Sequence, residues 1–210
     1  MKVLLVNGSP HAKGCTYTAL EGIAETLNTE GIEAEIFQVG IEPLAGCIAC
    51  RTCSKKGQCV FSDPVNDFLD LAKDADGFIF GSPVHYAAAS GAITSFMDRA
   101  FFADSLAGRR SFYLKPAAAI VSARRAGTTA AFDQLNKYFA ISEMPIISSR
   151  YWNMVHGATP EDVKKDEEGL QTMRVLARNM AWFLKCKEAG IKAGIPFPQS
   201  EQKVFTNFIR

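Results

Sequence analysis

Apolar residues along the chain fall into two rhythms, short unbroken runs and longer stripes at helical spacing, and their alternation predicts the architecture. The run Val3-Leu4-Leu5-Val6 behind Lys2 stops at the turn formers Asn7-Gly8-Ser9-Pro10, and a stripe at Leu20, Ile23, Ala24 and Leu27 follows. That reads as strand, turn and helix. Period-two alternation returns at Glu33-Ala34-Glu35-Ile36-Phe37. Two further runs, Gly77 to Phe80 and Ala117 to Val121, end at Gly81-Ser82-Pro83 and at Ser122-Ala123. Helical stripes lie between them at Val65, Phe68, Leu69 and Ala72, then at Ala92, Ile93, Phe96, Met97 and Ala100, then at Phe132, Leu135 and Phe139. Pro145-Ile146-Ile147 is expected to be the last strand. Thr159-Pro160-Glu161-Asp162 opens a final helix with an N-cap, a proline in the first turn and acids on the positive dipole end. Its core face is Leu170, Met173, Ala177, Met180 and Leu184.

Five strands alternating with helices predict an α/β domain with a parallel sheet covered on both faces, because parallel neighbours need crossover connections. Ligands then belong at the carboxyl ends of the strands. A chain of 210 residues is long enough for one full core without disulfide or metal staples. One domain is expected over 1–190, and 191–210, with Pro196 and Pro198, forms a C-terminal arm.

Charge changes little in this picture. With 23 basic and 22 acidic side chains and 48% hydrophobic residues, the composition is that of a globular protein, which excludes disorder and a nucleic-acid partner held by bulk charge. The opening apolar run is too short for a signal peptide or a membrane span, so a cytoplasmic protein with no membrane partner is expected. Six cysteines change more. Four of them crowd between residues 47 and 59, and in a reducing compartment that points to metal or redox chemistry before structural disulfides.

Three strand ends carry unusual loops. The first, Gly8-Ser9-Pro10-His11-Ala12-Lys13-Gly14-Cys15-Thr16, runs into a helix, and its hydroxyls, free N–H groups and helix dipole suit a phosphate. It matches neither the P-loop nor the dinucleotide glycine pattern, and read alone it has an ordinary capped turn as its alternative. The second, Gly81-Ser82-Pro83-Val84-His85-Tyr86, offers backbone amides and aromatic faces to a flat ring. The third, Ser122-Ala123-Arg124-Arg125-Ala126-Gly127-Thr128, adds two guanidiniums.

Together these loops resemble those of the flavodoxin-like NAD(P)H-dependent flavin mononucleotide (FMN) reductases, in the branch that includes the iron-sulfur flavoproteins. The motifs that carry the resemblance are Asn7-Gly8-Ser9-Pro10 with Gly14-Cys15-Thr16, the cysteine block, Asp74-Ala75-Asp76-Gly77 and Gly81-Ser82-Pro83-Val84, across about residues 1 to 155. The resemblance implies a flavodoxin-like three-layer sandwich whose five-stranded parallel sheet has the order 2-1-3-4-5. It implies that Ser9, His11, Cys15, Thr16 and Tyr17 surround the FMN phosphate. Pro83, Val84, His85 and Tyr86, with Ser122, Ala123, Arg124 and Gly127, would then frame the flavin ring. His11 replaces a frequent arginine and Cys15 a frequent asparagine of the family.

Cys47, Cys50, Cys53 and Cys59 have the spacing C-x2-C-x2-C-x5-C. The compact run resembles the ligand set of an iron-sulfur cluster and fits a [4Fe-4S] centre, whereas structural zinc favours two separated knuckles. A loop of reduced thiols stands as the alternative. Cys186 has no partner in the sequence and is expected to pack as a small apolar residue.

The reading that follows is an FMN-dependent oxidoreductase moving electrons from NAD(P)H to a quinone, flavin or iron-sulfur acceptor, small molecule or protein, with the cofactor doing the redox step and no catalytic side chain required. The nicotinamide is expected beside Tyr86 or Trp152, the latter having a core position as its alternative. A non-enzymatic FMN and iron-sulfur electron carrier fed by a ferredoxin-like donor is the second reading. A signalling receiver is excluded by the lack of acids at the ends of strands one and three. Phe101 and Phe102, and the tail around Ile195, Phe197, Phe205 and Phe208, offer apolar surface for a homodimer or homotetramer.

Overall fold

A computed structural model describes residues 1–199, 201, 204–206 and 208. In chain order the elements are β1 (Lys2–Asn7), α1 (Cys15–Thr29), β2 (Glu33–Gln38), α2 (Cys53–Lys56), α3 (Pro64–Ala72), β3 (Gly77–His85), β4 (Ala88–Ala89) and α4 (Gly91–Ala107). There follow β5 (Ala117–Ala123), α5 (Thr128–Ile141), β6 (Met154–His156), α6 (Pro160–Val163) and α7 (Glu167–Lys192). The sheet runs β2-β1-β3-β5-β6, with β4 beside β3. All pairs on that path are parallel, so the five parallel strands take the expected 2-1-3-4-5 order once the two-residue antiparallel β4 is set apart.

Side chains alternate across each strand, so consecutive apolar residues feed two cores. Leu4, Val6, Phe78, Phe80, Ala119 and Val121 face α3, α4 and α5, where Phe68, Phe96 and Phe139 fill the layer. Val3, Leu5, Ile79, Ala118 and Ile120 face α1 and α7, against Leu20, Ile23, Met173 and Met180. Parallel packing with helices on both faces explains why the strand runs carry almost no polar residues.

Four expectations need correction. The central strand does not end at Phe80: β3 continues to His85, because Ser82 and Pro83 still pair with Val121 and Ser122 of β5. Pro145-Ile146-Ile147 is only a single bridge, Ile146 to Ala117, and the strand proper comes later at Met154–His156. Ile146 pairs with Ala117 and Met154 with Val121, so eight residues of the edge segment span what four span on β5, and the surplus bulges outward. That bulge carries Tyr151 and Trp152 as an exposed pair with ring centroids 4.9 Å apart, so Trp152 is not a core residue. The final helix is two helices. Thr159 and Asp162 close a capping box on α6, and Asp166 then accepts from Gly169 N–H to start α7.

The fourth correction concerns surface and core. Phe101 is buried and stacks on Phe112 at 4.3 Å within its own chain, whereas Cys186 is exposed on α7. Ile195, Phe197, Phe205 and Phe208 are exposed. Residues 200, 202, 203, 207, 209 and 210 of that arm lie outside the described residues. Among the described residues no helix is long and apolar enough to cross a membrane.

Candidate functional site

The ends of β1, β3 and β5 lie side by side, Asn7 paired with Gly81 and Pro83 with Ser122, so the three loops share one edge of the sheet. The chain leaves β1 toward β2 on one side and reaches β3 on the other, which makes this edge the topological switch point where open α/β sheets leave a crevice.

The first loop is fixed by side chains from strand ends. Buried Asn7 accepts from Ser9 N–H at 3.2 Å and donates to Gln38 Oε1 at 2.6 Å, while Gln38 donates to the Ser9 carbonyl at 2.7 Å. Ser9 Oγ accepts from His11 N–H at 3.1 Å. The Gly8 N–H donates to the Gly81 carbonyl at 2.9 Å, so close that a Cβ on Gly8 would lie 2.6 Å from Ile93 Cβ. Ser90 is buried and N-caps α4, its hydroxyl accepting from Ile93 N–H at 3.3 Å and donating to the Gly8 carbonyl at 2.9 Å, while its own N–H reaches Ser82 Oγ at 3.0 Å. Asn7, Gln38 and Ser90 therefore hold the loop, and of these the sequence reading assigned no role to Gln38 or Ser90.

This bracing leaves α1 open at its positive end. Gly14 is the N-cap and supplies no side-chain cap, and the N–H groups of Cys15, Thr16 and Tyr17 make no backbone hydrogen bond among the described residues. Those free donors at a helix N-terminus fit an anion such as a phosphate monoester. The side chains there point elsewhere. Cys15 Sγ lies 3.7 Å from the Gly157 carbonyl, and burial, with the carboxylates of Asp162 and Glu161 nearby, pushes its thiol pKa up. It stays a neutral thiol and puts no negative charge beside an anion. Thr16 Oγ1 meets Ser122 Oγ at 2.8 Å under the loop, tying α1 to the end of β5. Lys13 caps the ring of Tyr17 at 3.7 Å, and His11 is exposed.

The second loop is a tight reversal. Val84 pairs with Ala89 and His85 with Ala88, and Tyr86 takes a left-handed φ of 56° with its ring fully exposed. The third loop meets it through Gly127, whose φ of 92° opens α5 and whose Cβ, were there one, would sit 2.9 Å from Val84 Cγ1. Val84, Gly127, Ser122 and Ala123 thus come together, and Pro83 and His85 flank them. Arg124 and Arg125 are exposed and make no hydrogen bond or ion pair with a described residue. These residues put N–H donors at one end of the shared loop edge and small or apolar groups at the other, the two kinds of surface that a phosphorylated flat ring needs.

The cysteine block lies on the connection from β2 to α3. Cys47, Cys50, Cys53 and Cys59 line one cavity with Phe61, Phe102 and Arg99. Hydrogen bonds from Thr52 pull the Cys50 thiol pKa down, and burial pushes that of Cys53 up. Among the described residues no three His, Cys, Asp or Glu side chains converge enough to hold a metal ion. A single ion with metal–sulfur bonds of about 2.3 Å does not fit. Four cysteine thiols around one cavity are the donor type that an iron-sulfur cluster takes. Arg99, which the sequence reading missed, reaches in from α4.

The chain matches the family model described as NADPH-dependent FMN reductase over residues 1–159. It belongs to that family. Among its relatives, an iron-sulfur flavoprotein of Methanocaldococcus jannaschii is 31% identical, with 88% of this chain and 98% of that protein covered. Two solved structures share the fold. RosB with bound 8-demethyl-8-formylriboflavin-5'-phosphate superposes with a TM-score of 0.70 at 14% identity, covering 100% of this chain and 94% of that one. A flavodoxin from the domain Archaea gives 0.58 at 16% identity over 88% and 99%. The architecture is flavodoxin-like, and the family is one of flavin-dependent oxidoreductases.

Proposed function

We propose that this member of the FMN reductase family binds FMN at the shared loop edge, takes electrons from NAD(P)H and delivers them to a quinone, flavin or iron-sulfur acceptor in the cytoplasm. The observation that carries the reading is the N-terminus of α1 at the switch point, with no side-chain cap and with three N–H groups that make no backbone hydrogen bond among the described residues. Ser9 and His11 complete the rim around a phosphate held by the N–H groups of Cys15, Thr16 and Tyr17. FMN, when bound, supplies hydride acceptance and onward electron transfer. Pro83, Val84, His85, Tyr86, Ser122, Ala123 and Gly127 set the ring's position, and the exposed guanidinium of Arg124 offers a positive group where negative charge develops on it. Tyr86 and the exposed Trp152 leave aromatic faces for a nicotinamide. Exposed Trp182, Ile195 and Phe197 support a homodimer or homotetramer, which light scattering at micromolar concentration tests.

Flavin fluorescence titration of the purified chain, followed by steady-state assays with NADH and NADPH, tests the assignment. Saturable FMN uptake and nicotinamide-dependent reduction of a quinone or free flavin are expected. No uptake overturns it. The cavity lined by four thiols favours a second reading, an FMN and iron-sulfur electron carrier, with Cys47, Cys50, Cys53 and Cys59 holding a [4Fe-4S] centre. A bound flavin inert to both nicotinamides but reduced by a ferredoxin-like protein would replace the first reading with this one.

A further inference from the structure

Arg99 is 1% exposed, and a buried guanidinium is costly unless every donor is met. Each is met. Nη1 donates to Asp63 Oδ2 at 2.6 Å and to the Ala45 carbonyl at 3.3 Å, and Nη2 donates to Asp63 Oδ1 at 2.9 Å. The remaining N–H groups, on Nε and Nη2, both point at one sulfur, Cys59 Sγ, at 3.2 Å each. Phe61 covers the guanidinium with its ring, 4.7 Å from centroid to Cζ.

Two donors spent on a neutral thiol gain little, because a thiol sulfur is a weak acceptor. A thiolate repays them, since hydrogen bonds to an ionised partner are roughly twice as strong. Asp63 already neutralises the guanidinium, so charge balance alone does not require the sulfur. The same side chain also anchors both ends of the cysteine segment, through Ala45 before Cys47 and through Cys59 at its close. Asn66 clamps the Cys59 backbone independently, accepting its N–H at 2.9 Å and donating to its carbonyl at 3.1 Å. Cys59 is thus fixed at both backbone and sulfur.

We propose that Arg99 is a positioning residue for the Cys59 thiolate and sets the reduction potential of the iron-sulfur centre held by Cys47, Cys50, Cys53 and Cys59; the inference rests on the proposed use of those cysteines. One-electron reduction adds negative charge at the centre, with no bond formed or broken and the guanidinium keeping its proton. N–H···S hydrogen bonds stabilise that added charge and so raise the potential.

The full chain is purified without oxygen, assayed for iron and acid-labile sulfide, and titrated with dithionite while the reduced centre is followed by electron paramagnetic resonance. Arg99→Gln is expected to lower the equilibrium for reduction about tenfold, a shift of about 59 mV for one electron. Arg99→Lys keeps the charge but cannot serve both Asp63 and the sulfur, so a smaller shift in the same direction is expected. Asp63→Asn keeps the helix cap and leaves the guanidinium less compensated, so its midpoint is expected to rise. A merely structural Arg99 would lower occupancy and leave the midpoint of the occupied fraction unchanged. Unchanged midpoints in the Arg99 variants overturn the inference while the centre stands. If neither Arg99 variant retains a centre, an unchanged or lower midpoint in Asp63→Asn overturns it. Wild-type protein without iron and sulfide overturns the centre itself, and the inference with it.

Discussion

Replacing Gly81 with alanine tests whether the packing between β3 and α1 builds the site. A Cβ at Gly81 would lie 2.9 Å from Thr16 Cγ2 and 3.1 Å from Leu20 Cδ1, in a part of the core where Thr16 and Leu20 are buried. Overpacking of this kind costs about 2 kcal/mol. For a domain of this length that is a fall in Tm of about 4–8 °C. Thr16→Ser alone removes one buried methyl group, at about 1 kcal/mol, and keeps the hydroxyl that meets Ser122. Combined, the new methyl fills the space the old one vacated, so only the closer approach to Leu20 remains. The double variant is therefore expected near 1 kcal/mol below wild type, against about 3 kcal/mol for independent effects, a coupling of about 2 kcal/mol. Urea unfolding of the four proteins measures it. Additivity within about 0.5 kcal/mol, or a neutral Gly81→Ala, would show that α1 does not sit on Gly81 as described, and the helix whose N–H groups are proposed to hold the phosphate would lose its support.

Gly127→Ala meets both a left-handed φ and Val84, so a loss of about 2 kcal/mol and weaker FMN uptake are expected, read by thermal melting and flavin titration. Cys15→Ala is expected to leave FMN affinity within about twofold, since the thiol faces the Gly157 carbonyl and the substitution leaves the backbone N–H in place; a loss on the order of tenfold in the same titration would contradict this. The Tyr138 phenol is pushed well above its usual pKa by burial first and by its hydrogen bond to Asp98 at 2.5 Å second. Its contribution to stability is complete below the unfolded tyrosine pKa of about 10 and is lost as pH rises beyond it. Denaturant midpoints between about pH 9 and 11.5 should fall more steeply for wild type than for Tyr138→Phe, and equal slopes would refute the assignment.

What the chain declares locally was readable, because it follows from side-chain period and turn chemistry. The runs at Val3 and Ala117, the stripes at Phe68 and Phe96 and the loop after Asn7 all signal their own geometry. What depends on a neighbour across the sheet was not. Gly81-Ser82-Pro83 reads as a stop, yet β3 continues because β5 supplies partners as far as Ser122. Thr159-Pro160 is a true helix start, but nothing before Asp166 announces that a second cap will divide the helix. The edge strand splits into one bridge and three paired residues because the bulge between them follows from the offset between two chains, which has no local pattern.

Arg99 shows the same limit at the candidate centre. Along α4 it stands between Phe96 and Ala103 on a face that the hydrophobic stripe marks as core, and an arginine there reads locally as an interruption. Its meaning lies in Asp63 and Cys59, both more than thirty residues earlier and on a different connection. The cysteine spacing was visible because all four thiols sit within thirteen consecutive residues; the group that fixes one of them was not, because only the fold brings α4 against that segment. An arginine on an apolar stripe, in a chain whose cysteines cluster elsewhere, is therefore a signal to ask which acid and which sulfur the topology brings to it. The carboxylate settles its charge, and the sulfur gives that charge something to act on.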